Sequence, residues 1–333
     1  MIEQQTKKQD NFRVAIVDSH PGDYLNQPDI EQKVLQPEAT VVVYRVNEAA
    51  ELIGFIEDID VIISWHPIPL NADILGRLQC CRGIVRAAMG FDNIDLSVAA
   101  QKGIPVCNVP DYGTEEVADH TLCLLLALVR KLCLVDRHVR NQEWNWRAIG
   151  SVPRLRGMTL GIVGFGRIGI AVAKRAIAFG LKVTFYDPYV ARGMEKAHGV
   201  SRCETLEELI NTAQIITLHV PLTEETRHLI GPEELQRMTS ETILINTSRG
   251  GAIDQEALIE SILSNSLGWV GLDVLSNEPN VPEALRTSEK VLLTGHSAFY
   301  SDAALTELRF KAATFAKNFL LGKKVPTVLN LPY

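Results

Sequence analysis

The chain alternates short apolar runs rich in β-branched residues with longer stretches whose apolar positions recur every three or four residues. The runs "FRVAIVD" (12–18), "TVVVYRV" (40–46), "DVIISW" (60–65), "GIVRAA" (83–88) and "IPVCNV" (104–109) predict strands with helical segments between them. A second series starts at "MTLGIVG" (158–164) and continues through "KVTFYD", "IITLHV", "TILINT", "GWVGLDV" and "KVLLTG". Runs that are apolar on both faces belong in parallel sheets covered by helices, so the pattern predicts an α/β fold built twice.

Between the two series, "TEEVADHTLCLLLALVRKLCLVDRHVRNQEW" reads as one long helix, with Thr114 as its N-cap and Glu116 and Asp119 in its first turns. The closing "SDAALTELRFKAATFAKNFLLGKK" reads as an amphipathic helix starting at Ser301 or Asp302. Its place after the last strand suggests a return to the first series. The expected domains are therefore 1–112 with 306–333, and 113–305. No short-period repeat or low-complexity segment interrupts them.

Composition narrows the partners. The 333 residues carry a net charge of −7 without a long basic run, which argues against nucleic acid. The longest apolar run, "LCLLLALV" from Leu122 to Val129, is too short to span a bilayer, and the opening "MIEQQTKKQDNF" lacks the apolar segment of a secretory signal. A cytoplasmic protein is expected. Cysteines 80, 81, 107, 123, 133 and 203 form no CxxC pair and no metal-ligand spacing, so they read as reduced thiols and no metal site is expected.

The second series opens on "LGIVGFGRIGIAVAKRAIAFG", which matches GxGxxG at Gly164, Gly166 and Gly169 between a strand and a helix. "KVTFYD" ends in Asp187, 23 residues after Gly164, which completes the dinucleotide fingerprint. Gly164 permits a tight turn, Gly166 lets backbone amides approach a pyrophosphate, and Gly169 lets helix and strand pack closely. Arg167 adds charge beside Ile168 at the helix start. An acid at the end of the second strand accepts from ribose hydroxyls and repels a 2′-phosphate, which favours NAD over NADP. Arg192 reads as a solvated surface residue.

Three later strand ends carry polar residues where an open α/β sheet binds its ligand: "LINTSRGG" with Arg249, "LDVLSNEP" with Asp273 and Glu278, and "LLTGHSAF" with His296. Reduction of a 2-keto acid needs a cation for the carboxylate and carbonyl, a proton donor for the new alkoxide, and a hydride donor. Arg249, His296 and NADH match those needs, with Glu278 holding the imidazole by a charge-assisted hydrogen bond. Taken singly, Arg249 also suits a surface ion pair, Glu278 a loop carboxylate, Asp273 a helix cap and His296 a structural residue. Their joint occurrence behind a full fingerprint favours chemistry.

These residues resemble the D-isomer-specific 2-hydroxyacid dehydrogenases, and the similarity runs from about residue 60 to 320. It rests on "GIVRAAMGFDNIDL", "GIPVCNVPDYGTEEVADHTLCLLLALVRK", the glycine loop, "HVPLTEETRHLI", "INTSRGGAIDQEAL", "GLDVLSNEP" and "GHSAFYS". Similarity at "VRAAMGFDNIDL", "VCNVPDYGTEEVAD", "FYDPY" and "AFYS" points to the C-terminal-binding-protein branch. The resemblance implies a Rossmann-type NAD-binding domain plus a flavodoxin-like substrate domain, with the active site in the cleft and a twofold dimer formed partly by the helix from Thr114. It implies that Thr114, Val220, Pro221, Thr226, Thr247, Ser248 and Asp273 line NAD, with Asp273 facing the nicotinamide carboxamide. It also implies that the loop of Arg86, Ala88, Met89 and Gly90 cradles the substrate carboxylate, that Arg86 contacts substrate, and that Arg249, Glu278 and His296 are the catalytic trio.

Two positions depart from that branch. Phe299 stands where it has Trp, which removes an indole donor beside the substrate, and Met89 stands where it has a small residue. The leading expectation is an NAD-dependent D-2-hydroxyacid dehydrogenase. The rival is an NAD(H)-sensing dimeric scaffold, like a co-repressor, with little turnover; a formate or phosphite dehydrogenase is disfavoured because formate dehydrogenases carry Gln at the position of Glu278.

Overall fold

The computed structural model describes residues 11–19, 24–65 and 68–331. The polar opening at 1–10, read above for the absence of a leader, lies outside the described residues. The chain divides into two compact units, Met1–Tyr112 with Ser301–Tyr333, and Gly113–Tyr300. Re-entry falls at Ser301 rather than at 306. The Ser301 hydroxyl accepts from the Ala304 amide at 2.9 Å, so the last helix keeps its cap within its own unit.

Unit 1 runs β1 (Phe12–Ser19), α1 (Asp29–Leu35), β2 (Ala39–Val46), β3 (Val61–Ser64), α2 (Ala72–Arg77), β4 (Gly83–Arg86), α3 (Leu96–Gln101) and β5 (Val106–Asn108). Its five strands are parallel in the order β2-β1-β3-β4-β5, the flavodoxin-like arrangement. The β-branched residues that suggested strands are the core: Val14, Ile16, Val61, Ile62 and Ile84 are fully enclosed.

Unit 2 runs α4 (Thr114–Val129), α5 (Leu132–Arg140), β6 (Thr159–Val163), α6 (Arg167–Ala178), β7 (Lys182–Tyr186), α7 (Met194–His198), β8 (Ser201–Arg202), α8 (Leu206–Thr212), β9 (Ile215–Leu218), α9 (Pro232–Arg237), β10 (Ile243–Asn246), α10 (Gln255–Leu263), β11 (Trp269–Leu272), α11 (Glu283–Thr287) and β12 (Val291–Leu293). The chain then enters α12 (Asp302–Leu320) in unit 1. Its seven strands are parallel in the order β12-β11-β10-β9-β6-β7-β8, with the direction of winding reversing between β6 and β9. This is the Rossmann arrangement, and the crevice at the reversal is where such sheets take a dinucleotide. Strand β8, only two residues long, carries no periodicity to read.

The long helix expected from Thr114 is two helices. Gly113 occupies the N-cap position and Thr114 is the first helical residue, so Thr114 is not the cap. Helix α4 buries Val117, Leu122, Leu124, Leu125 and Leu128 against the sheet. Fully burying one such leucine contributes about 1.5–3 kcal/mol, so the leucine face anchors α4. It also explains Gly271 on β11, where a Cβ would stand 3.1 Å from the Leu128 side chain. The break comes at Lys131, whose φ of 52° is left-handed. Its ammonium donates to the Ile149 carbonyl at 2.7 Å and lies over the Trp269 ring, which ties the bend in place. Helix α5 then continues the helical periodicity but buries none of its residues.

Candidate active site

The reversal point of unit 2 is built by glycine. Gly164 sits at φ +90°, and a Cβ there would lie 2.5 Å from the His219 carbonyl oxygen; at Gly169 it would lie 2.2 Å from the Gly164 oxygen. Both positions exclude any side chain. A Cβ on Gly166 would meet nothing within 4 Å, so this glycine leaves room in front of the loop. Gly166 is also the N-cap position of α6, and no side chain caps the amides of the first turn, Arg167, Ile168 and Gly169. Bare amides at the positive end of a helix are suited to an anion.

A cavity of about 320 Å³ adjoins this loop, lined by Val163, Gly164, Tyr186, Asp187, Tyr189, Val220, Pro221, Glu225, Thr226 and Leu229 among others. It is large enough for a nucleoside and open beside the bare helix terminus, so the residues present fit a dinucleotide. Asp187 does more than face the cavity. One carboxylate oxygen accepts from the Phe165 amide at 2.8 Å, and the other from the amides of Tyr189 and Val190 at 2.9 and 3.2 Å. Thr226 caps the opposite wall, its hydroxyl donating to the Pro221 carbonyl at 2.6 Å. Across the cavity the Tyr189 hydroxyl donates to Glu225, a pairing that raises the phenol pKa and that sequence reasoning missed. Arg192 is paired with Glu204 through two bonds of 3.0 Å.

The polar strand ends come from β10, β11 and β12, which are neighbours in the sheet. After β12, the His296 backbone turns to φ +53°, a region that L-residues occupy only when held. Asp273 holds it. The Asp273 carbonyl accepts from the His296 amide at 2.7 Å, and its carboxylate accepts from the amides of Ser297 and Ala298 at 2.9 and 3.0 Å and from the Thr294 hydroxyl at 2.5 Å. Asp273 is 2% exposed, so its end of each bond is shielded from water, which strengthens the bonds. Asp273, expected to face a nicotinamide carboxamide, thus also braces the histidine loop.

The His296 Nδ1 lies 2.7 Å from a Glu278 oxygen, and the other Glu278 oxygen accepts from the Leu275 amide at 2.9 Å. A carboxylate so held accepts the Nδ1 proton and leaves Nε2 as the nitrogen that exchanges one. The Phe299 ring meets the imidazole edge to face, with centroids 6.4 Å apart. Arg249 follows β10, its own Nη1 donating to the Ser248 carbonyl at 2.8 Å, while Ser248 itself bonds Asn246. Gly250, unnoticed in the sequence, packs so tightly that a Cβ would lie 2.0 Å from the Leu275 carbonyl carbon. The Arg249 and Glu278 loops are thereby in contact. The doubled glycine of "SRGG" was the available signal. Thr247 is anchored to α4 through the Thr121 hydroxyl at 3.0 Å.

In unit 1 the loop after β4 is also ordered by its carbonyls. The Ala88 carbonyl accepts from the Val109 amide at 3.1 Å and the Met89 carbonyl from Asn108 Nδ2 at 2.6 Å. In a trans peptide the N–H points opposite the C=O, so the amides of Met89 and Gly90 face away from β5 as a pair of donors. Arg86, expected to contact substrate, is 2% exposed, and its guanidinium donates to Asn93 Oδ1 at 2.8 Å and to the Ser64 carbonyl at 3.4 Å, which braces the loop from within.

Among the described residues no cluster of His, Cys, Asp and Glu could hold a metal ion, and no helix is long and apolar enough to cross a membrane. The model of the D-isomer specific 2-hydroxyacid dehydrogenase NAD binding domain matches residues 122–298. The chain is 38% identical over 283 residues to glyoxylate reductase of Korarchaeum cryptofilum, which covers 84% of this chain and 85% of that protein. It is 35% identical over 300 residues to D-3-phosphoglycerate dehydrogenase of Methanocaldococcus jannaschii, covering 90% of this chain but only 57% of that longer relative. The structure of D-lactate dehydrogenase from Aquifex aeolicus, complexed with NAD and lactic acid, is similar with a TM-score of 0.86 at 28% identity, covering 96% of this chain and all of that one.

Proposed function

The chain belongs to the D-isomer specific 2-hydroxyacid dehydrogenases, and from that premise we propose that it interconverts a small 2-keto acid and its D-2-hydroxy acid. NAD is its cofactor. Bound in the reduced form, it supplies the hydride. The observation that carries the proposal is the 2.7 Å bond between His296 Nδ1 and Glu278, which leaves Nε2 to give a proton to the developing alkoxide and to take it back in oxidation. Arg249 offers the planar fork that pairs with the carboxylate and polarises the carbonyl. Asp273 is a positioning residue for the histidine loop, and the Met89 and Gly90 amides bind a carboxylate of the same class of molecule. The apolar Phe299 ring closes one side of the imidazole, which suits a small substrate such as those named for the glyoxylate and lactate enzymes above.

Preference for NAD over NADP is supported by two carboxylates, Asp187 and Glu225, in the wall of one cavity. A homodimer is supported by α5 and the turn after it, where Leu132, Val139, Trp144 and Trp146 are exposed by 59%, 40%, 89% and 75%. Apolar surface of that size in one short segment marks an interface. A cytoplasmic location is supported by six free thiols. The C-terminal-binding-protein branch is supported by the sequence segments quoted above, and with it the scaffold reading in which NADH drives assembly without turnover.

The test is NADH absorbance with glyoxylate, pyruvate and hydroxypyruvate. Turnover of at least one is expected, and His296→Ala should lower it on the order of a hundredfold to ten-thousandfold with NADH affinity unchanged. NADH-driven dimerisation with no turnover of any keto acid would replace the enzyme with the scaffold.

A further inference from the structure

We propose that His120, on α4, is a positioning residue for His296, acting through Thr294 and Asp273. The proposal rests on the reading of His296 as the proton donor. His120 Nε2 lies 3.0 Å from the Thr294 hydroxyl oxygen, which in turn lies 2.5 Å from Asp273 Oδ1. Asp273 already accepts two backbone amides, one at each carboxylate oxygen, so those oxygens act as acceptors and the single Thr294 proton points at Oδ1. The Thr294 oxygen is then left to accept, and His120 must carry its proton on Nε2. The donors run from His120 to Thr294 to Asp273, and His120 Nε2 also stands 3.6 Å from Asp273 Oδ1 itself.

The end of that chain is the histidine loop. The same Asp273 holds the amides of His296, Ser297 and Ala298, and with them the left-handed turn at His296. Hydrogen bonds in series polarise and strengthen one another, and the Asp273 end of this series is buried, so orientation of the Thr294 hydroxyl by His120 sharpens the grip of Asp273. Helix α4 is well placed to do this because the next residue, Thr121, bonds Thr247 after β10 at 3.0 Å. One helical turn therefore registers the ends of two strands that carry Arg249 and His296.

Three variants test this. His120→Gln places an amide nitrogen where Nε2 stands, His120→Asn places it a bond short, and Thr294→Val removes the hydroxyl while keeping the shape. The Asn and Val variants should lower kcat about tenfold, as loss of one charge-linked hydrogen bond does, with KM for NADH within about twofold, and Gln should retain kcat. Hydrogen exchange at the Ser297 and Ala298 amides should quicken in the Asn and Val variants and not in Gln. Nitrogen-15 NMR of the histidines at pH 8 should show the Nε2–H tautomer for His120. Equal loss in Gln and Asn, loop exchange unmoved in both, or an Nδ1–H tautomer would overturn the proposal. A wild-type protein that turns over no keto acid would sink the enzymatic reading alone, since exchange and tautomer are read without substrate.

Discussion

Lowering the pH from 7 to 5 should cost unit 2 about 2 kcal/mol through one imidazole. His219 directly follows β9 beneath the glycine loop, with its Nδ1 sealed from solvent and without a partner among the described residues, and its Nε2 3.1 Å from the Thr217 hydroxyl. Burial pushes its pKa down to about 3. In the unfolded chain the ordinary value of about 6.5 returns, so between those values the unfolded chain binds the extra proton. Its contribution is complete above the unfolded value and is lost as pH falls toward the folded one. At pH 5 the unfolded imidazole is nearly all protonated and the folded one neutral; relative to pH 7 the gap is about 1.4 pH units' worth of binding, at about 1.4 kcal/mol each. His219→Gln keeps a hydrogen-bonding partner for the Thr217 hydroxyl and removes the titration. The assay is a urea series at each pH, read by pulse-labelled hydrogen exchange of the β9 peptide, which reports unit 2 alone. Asp18, whose carboxyl burial raises, is common to both proteins, so its contribution cancels. Wild type should lose about 2 kcal/mol more than the variant between the two pH values. Losses equal within about 0.5 kcal/mol would refute the reasoning.

Two further outcomes are expected. Asp187→Ala should weaken NADH binding on the order of tenfold or more without creating an NADP enzyme, because the carboxylate holds the Phe165, Tyr189 and Val190 amides as well as facing the cavity; a clean switch in titrations with NADH and NADPH would contradict this. Replacing Val139 and Trp146 together by Glu should give a monomer in sedimentation velocity if α5 and its following turn form the dimer contact, whereas an unchanged dimer would move the interface elsewhere.

The parts of the fold that the chain disclosed directly are those whose cause is local. Gly164 stands at φ +90° with no room for a Cβ, and no other residue meets both demands, so a glycine between strand and helix already implied the turn. Strands β3, β4, β9 and β10 were visible because every residue in them is buried. The break between α4 and α5 was hidden because apolar periodicity persists through it, and the cause, Lys131 reaching Ile149, spans 18 residues. The bracing role of Arg86 was hidden for a similar reason: its Nη1 reaches the Ser64 carbonyl 22 residues away, which no local pattern discloses.

The polar trio was legible for a topological reason. A parallel sheet presents every strand's carboxyl end on one edge, so residues following β10, β11 and β12 share that edge whatever the loops do between them. Residue type at each strand end was therefore enough to nominate Arg249, Glu278 and His296. Helix α4 obeys no such rule: His120 meets Thr294 across 174 residues of chain because leucines bury one helix face against the sheet, and the polar position beside that face is brought along. Support for a site built on an α/β edge is thus harder to read than the site, since the supporting side chain owes its place to packing and carries no motif of its own.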